Sequence, residues 1–215
     1  MEKIFRSLGA CLAWVSILTQ YVILIHEGSF GGFVSSTIAY LSYFTILNNI
    51  LVGLAFTAPL LSADNKFRQF FERQAVRAAI ALYITVVMVV YWSLLASIHN
   101  PEGLSAIANV GLHLIVPVLY ILDWVLFSKK DNMSFKRIPF WILYPLGYGI
   151  YTILRGAVTG IYPYPFLNVT ELGIGRVFIN MLGFTAFYAI GATVFIALGR
   201  RLGNPRPSAK DASIK

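Results

Sequence analysis

Charge is what this sequence has least of. Only 12% of its residues are Asp, Glu, Lys or Arg, against about a quarter in soluble domains, and its mean hydropathy is +0.72. That composition excludes a soluble fold and reads as an integral membrane protein. Cysteine is nearly missing as well. The single Cys11 excludes an intrachain disulfide and says nothing of redox compartment. The chain has no glycine-rich phosphate loop, no G-x-S-x-G elbow and no HExxH pair, so three common routes to catalysis are absent. It also shows no internal repeat and no inverted pair of interrupted spans, which weakens a reading as a secondary transporter.

What stands in place of charge is apolar length. Runs long enough to cross a bilayer, roughly 17–25 residues each, recur six times, at approximately 4–25, 36–61, 75–98, 105–127, 138–158 and 174–199. Their continuity excludes a transmembrane barrel, whose strands alternate over about ten residues. The expected fold is all-α: a six-transmembrane-helix bundle over residues 1–203, then a disordered polar tail over 204–215. The first run is longer than a signal-peptide core and no small-residue cleavage pattern follows it, so it counts as the first helix.

The net charge of +8 is a matter of sidedness. Fifteen of the 17 basic residues lie before or at the start of the first run, after the last, or in and beside the links between the second and third and the fourth and fifth runs. The intervening links, "HEGSFGGFVSS" and "HNPEGLS", carry none. The excess of basic residues on one side predicts that both termini are cytoplasmic, and no nucleic-acid partner is expected. Arg155 and Arg176 are the exceptions, near the outer ends of the fifth and sixth runs.

Polar groups inside such runs are costly and face the bundle interior. In "YLSYFTILNNILVGL", Ser42, Thr45, Asn48 and Asn49 fall along one helix face. On the fourth run, Asn109, His113, Tyr120 and Asp123 cluster on a helical wheel. Tyr144, Tyr148, Tyr151 and Arg155 form a stripe on the fifth, and Arg176 and Asn180 open the sixth. Both the second and fourth runs enter from the outer side. At about 1.5 Å per residue, Thr45 lies roughly 13 Å deep and His113 roughly 12 Å. A hydroxyl and an imidazole thus reach one level.

Each residue also has an ordinary reading. A threonine in a membrane helix commonly bonds its own i−4 carbonyl, and Asn48 and Asn49 suit interhelical hydrogen bonding. His113 suits a bond to Asn109, Asp123 a snorkelling or interfacial place, the tyrosines packing, and Arg155 and Arg176 lipid headgroups. His26, His99 and His113, with Glu27 and Glu102, all lie toward the outer side. The first two histidines belong to membrane-edge loops while His113 is deep, so no metal and no cofactor are expected.

The segments "SYFTILNN", "LHLIVPVLYILDW", "LYPLGYGIYTILRG" and "YPYPFLNV" together resemble the bacterial six-pass branch of the androgen-induced membrane-protein family. Its eukaryotic members are intramembrane threonine hydrolases that cleave fatty acid esters of hydroxy fatty acids with one Thr and one His. By motif position the resemblance implies Thr45 as nucleophile and His113 as general base. It implies a lipid or fatty-acyl ester as substrate and a bacterial inner membrane as location, with the site in the outer half of the bilayer. On that mechanism Asn48, Asn49 or Asn180 would supply oxyanion donors, and Asn109 would orient His113. Arg155 or Arg176 would anchor a substrate carboxylate or phosphate, and Tyr120, Tyr148 and Tyr151 would line its path. The alternative is a non-enzymatic protein that binds or transports a lipid or amphiphile in the same outward-facing cavity. A third is a structural partner of another membrane complex.

Overall fold

The computed structural model describes residues 1–28, 30–130 and 133–203; the expected tail lies outside them. The described residues are helical, with no strand among them. The long first helix, α1 (Glu2–Glu27), ends at Gly28, whose φ of 63° closes the helix in the left-handed region open to glycine. Helices α2 (Phe33–Leu41) and α3 (Phe44–Thr57) follow. The short α4 (Lys66–Phe71) begins at Asn65, whose side chain accepts from the N–H groups of Phe67 and Arg68. Helix α5 (Gln74–Val90) runs on through a π-helical turn, Tyr91–Leu95. Helices α6 (Gly103–Val110) and α7 (Val116–Phe127) are joined through a second π-turn, Gly111–Ile115. Helices α8 (Ile138–Thr159) and α9 (Val169–Leu202) complete the chain, α9 being capped by the Asn168 side chain.

Four stretches are long and apolar enough to cross a bilayer: Glu2–Glu27, Gln74–Leu95, Gly103–Phe127 and Val169–Leu202. The α2–α3 pair, bent by 77°, makes a fifth if taken as one span. Ile4, Leu8, Leu12, Val15, Leu18 and Val22 form an exposed apolar stripe along α1, a surface that suits acyl chains and not water. The chain is a multi-pass membrane protein.

The run 36–61, read from sequence as one helix, is two. Tyr43 takes an extended conformation, φ −83° and ψ 126°, between α2 and α3. No proline or glycine stands at the break. A backbone interrupted in an apolar interior needs other partners, and tyrosines from later in the chain supply them. The Tyr148 hydroxyl donates to the Ser42 carbonyl at 2.8 Å, and the Thr45 N–H donates to the Tyr164 hydroxyl at 3.2 Å. The Ser42 hydroxyl bonds the Ile38 carbonyl at 2.6 Å and meets the Tyr151 hydroxyl at 2.8 Å.

Close approach of α1 and α3 sets the core. A Cβ on Gly9 would lie 2.7 Å from the Phe56 ring, so hydrogen alone fits there. Phe56, Tyr120, Trp124, Leu82 and Ile196 are fully buried around this contact and its neighbours. Two residues counted among the flanking charges are inside the bundle: Arg6 lies within α1 and Arg77 within α5, both buried. Asp123, expected at the interface, is wholly buried as their counter-ion. Arg6 Nε donates to Asp123 Oδ1 at 2.8 Å, and Arg77 Nη2 pairs with Asp123 Oδ2. Arg77 Nε also reaches Ser128 Oγ at 2.6 Å. An acid with two guanidinium partners has no reason to snorkel.

Candidate functional site

Thr45 is the second residue of α3, directly after the break, and His113 is the middle residue of the second π-turn. Their side chains meet. Thr45 Oγ1 lies 3.3 Å from His113 Nε2, and both residues are buried. His113 Nδ1 faces the Asn109 main-chain carbonyl at 3.1 Å. A carbonyl can only accept, so Nδ1 carries the proton and Nε2 turns its lone pair toward the threonine. The imidazole also stacks on the Tyr91 ring, and the indole of Trp92 donates to the His113 carbonyl at 3.0 Å. Two π-turns therefore face each other where the histidine is held, in keeping with the frequent use of such turns at functional sites.

A third hydroxyl joins the pair. Tyr164 OH is 3.3 Å from Thr45 Oγ1 and accepts the Thr45 N–H. Tyr164 sits between Pro163 and Pro165 in the α8–α9 connection. Its ring stacks on Phe166 at 5.2 Å, with planes 6° apart. Thr45 and Tyr164 together line a cavity with about 720 Å³ of empty space, its open mouth included. The remaining wall is almost entirely apolar: Val86, Val87 and Val90 of α5, Ile142 and Leu146 of α8, Met181 and Phe184 of α9.

The other residues singled out in the sequence divide. Tyr148 lines the cavity, and Asn109 holds His113 through its carbonyl while its side chain donates to Tyr91 OH at 2.7 Å. Asn48 and Asn49 are buried, and their amides turn to main-chain carbonyls and not to the cavity. Asn48 bonds Phe44 at 2.7 Å; Asn49 bonds Thr45 at 2.9 Å and Leu112 at 3.1 Å. The Asn180 amide donates to the Phe166 carbonyl at 2.9 Å. Tyr151 braces the break at Ser42 and does not line the cavity.

Tyr120 is also away from the cavity, packed edge-on against Phe56 at 5.2 Å with the Arg77 guanidinium over its ring at 5.8 Å. The π-turn explains this. It adds a residue to the helical repeat, so Tyr120 and Asp123 no longer share the face of Asn109 and His113. Arg155 borders a separate small pocket of about 160 Å³ with Tyr43, Phe30 and Pro163, and its guanidinium donates to the Ile161 carbonyl at 3.1 Å. Arg176 is exposed on α9. Tyr164 and Tyr91 were not singled out as site residues. The repeated Tyr-Pro of "YPYPFL" marks the first, and nothing local marks the second. Among the described residues no three His, Cys, Asp or Glu side chains gather where a metal ion would be held.

Fold and site together define an all-helical, multi-pass membrane protein with a buried threonine–histidine pair, of which the threonine lines an apolar cavity and the histidine stands behind it. The FAR-17a/AIG1-like protein family matches the chain over residues 10–198, and the chain belongs to that family. No curated protein and no solved structure matches it.

Proposed function

We propose that the chain is an intramembrane hydrolase of lipid esters, with Thr45 as nucleophile and His113 as general base. Family membership and one observation support this: Thr45 Oγ1 stands 3.3 Å from the unprotonated nitrogen of His113, beside an apolar cavity of acyl-chain character. Such contacts are often loose before substrate binds and tighten in the complex.

In the reaction Thr45 Oγ bonds to the ester carbonyl carbon as its proton passes to His113 Nε2. The imidazolium keeps Nδ1–H on the Asn109 carbonyl. Collapse of the tetrahedral intermediate breaks the carbon–alkoxy bond, and the departing alcohol takes the proton from Nε2. Water then attacks the Thr45 ester by the same route, releasing the fatty acid and restoring the hydroxyl. The partner of Nδ1 is a carbonyl, so the constellation is a dyad and not a triad. Fatty acid esters of hydroxy fatty acids, or a similar acyl ester, suit a cavity whose wall is mostly apolar. On this reading Arg155, which borders the separate small pocket with Tyr43, would meet an anionic head.

The topology that accompanies this reading has six passes, counting α2–α3 as one and α8 as another. Both termini are cytoplasmic and the site lies in the outer half of a bacterial inner membrane. The test is turnover of a lipid-ester panel by purified Thr45→Ala. Activity should vanish while the melting curve is unchanged; full turnover by that variant would leave a lipid-binding or transport protein as the better reading.

A further inference from the structure

An ester hydrolase needs hydrogen-bond donors aimed at the oxygen that becomes negative. The asparagines near Thr45 do not meet that need: Asn49 gives its amide to the carbonyls of Thr45 and Leu112, and Asn48 turns its amide back to the Phe44 carbonyl. Neither Asn48 nor Asn49 lines the cavity, and neither does Asn180. Tyr164 does line it, and its hydroxyl touches the nucleophile at 3.3 Å and the nucleophile's own N–H at 3.2 Å.

The proton assignments around Thr45 follow from one another. His113 Nδ1–H donates to a carbonyl, so Nε2 accepts from Thr45 Oγ–H. Thr45 Oγ then has only lone pairs to offer Tyr164. The phenol accepts the Thr45 N–H and directs its own proton at Thr45 Oγ. That N–H is free for this use because, in the first turn of a helix, it has no i−4 carbonyl.

We propose that Tyr164 is a catalytic residue: its hydroxyl and the Thr45 main-chain N–H are the two donors of the oxyanion hole. This assignment rests on the hydrolase reading above. When Oγ bonds to the carbonyl carbon, its lone pairs are committed and the carbonyl oxygen takes up the charge. That oxygen is attached to the same carbon, so a donor already resting on Oγ has only to turn toward it. The Tyr164 proton stays on its phenol throughout as a hydrogen-bond donor, and the Thr45 N–H turns from the phenol to the oxyanion. Prolines on both sides and ring contacts with Phe166, Tyr43 and Tyr148 hold the hydroxyl in place before substrate arrives.

The test compares wild type, Thr45→Ala and Tyr164→Phe, which keeps the ring and its stacking. Two rates are measured per folded molecule, with the folded fraction taken from the melting curve. One is hydrolysis of a lipid-ester panel. The other is covalent labelling of Thr45 by a fluorophosphonate, whose phosphoryl oxygen takes the oxyanion's place. Tyr164→Phe should lower kcat about 10²- to 10³-fold, the usual cost of one such donor, with little change in KM, and should slow labelling in proportion. Tyr164→Phe with both rates within threefold of wild type, beside an inactive Thr45→Ala, would overturn the donor and leave the nucleophile standing. Undiminished turnover by Thr45→Ala would overturn both.

Discussion

The imidazole of His113 lies face to face with the phenol of Tyr91, ring centroids 3.7 Å apart and planes 19° from parallel. That contact and the Asn109 carbonyl fix the ring about two axes. Tyr91→Ala should leave the imidazole free to turn away from Thr45, lowering kcat about 100-fold, the scale of a small misplacement of a reacting group. Tyr91→Phe keeps the stacking and should cost less than about tenfold, even though the Asn109 amide loses its partner. Steady-state hydrolysis of one lipid ester by the two variants checks the order.

Asp123 is buried between Arg6 and Arg77. Asp123→Ala leaves the Arg77 guanidinium without its acid in a buried site while Arg6 keeps Glu2 at 2.6 Å, and removing one partner of a buried pair typically costs about 3–5 kcal/mol. Replacing Asp123 and Arg77 together by Leu and Met should cost less than the single change. Denaturation in mild detergent, read by intrinsic fluorescence, separates the two. A single variant as stable as wild type would mean that water reaches this cluster.

Leu146 projects from α8 into the cavity wall and is only half-buried. Leu146→Trp should shorten the room for an acyl chain without overfilling a closed core. The expected result is a rise in KM of about tenfold for long-chain esters, equivalent to about 1.4 kcal/mol, with short-chain esters unchanged. A chain-length series of one ester type reads this directly.

Gly9 faces the fully buried Phe56 ring at a distance that no methyl group tolerates. Gly9→Ala should destabilise the α1–α3 contact by about 1–3 kcal/mol, the usual cost of overpacking. Gly175, where an added Cβ meets nothing within 4 Å, is the control position: Gly175→Ala should leave the melting temperature nearly unchanged.

The Thr45–His113 pairing was legible in the sequence by counting along the runs, although the 77° bend before Thr45 means that the count does not measure its depth. Counting residues from the outer ends put Thr45 and His113 at one level, and they meet. What the count missed are departures from a regular helix. The break at Tyr43 has no proline or glycine to announce it, and its stabilising hydroxyls come from Tyr148, Tyr151 and Tyr164, more than a hundred residues away. The π-turn at Gly111–Ile115 changes the face on which Tyr120 and Asp123 emerge. Asparagines that suit oxyanion donors by spacing proved to serve their own backbone, since an amide i+4 from a carbonyl finds that carbonyl first. Arg6 and Arg77 read as flanking charges because their common acid lies in a distant helix.

The central carboxylate also gives assembly an order. Arg77 leaves the ribosome 46 residues ahead of Asp123, so α5 must enter the bilayer before its acid exists. Until α7 is made, the Arg77 guanidinium lacks that acid, and an unpaired cation in an apolar interior is costly. Arrival of Asp123 removes that cost. A chain that stops short of it would keep Glu2 for Arg6 but leave Arg77 without its acid.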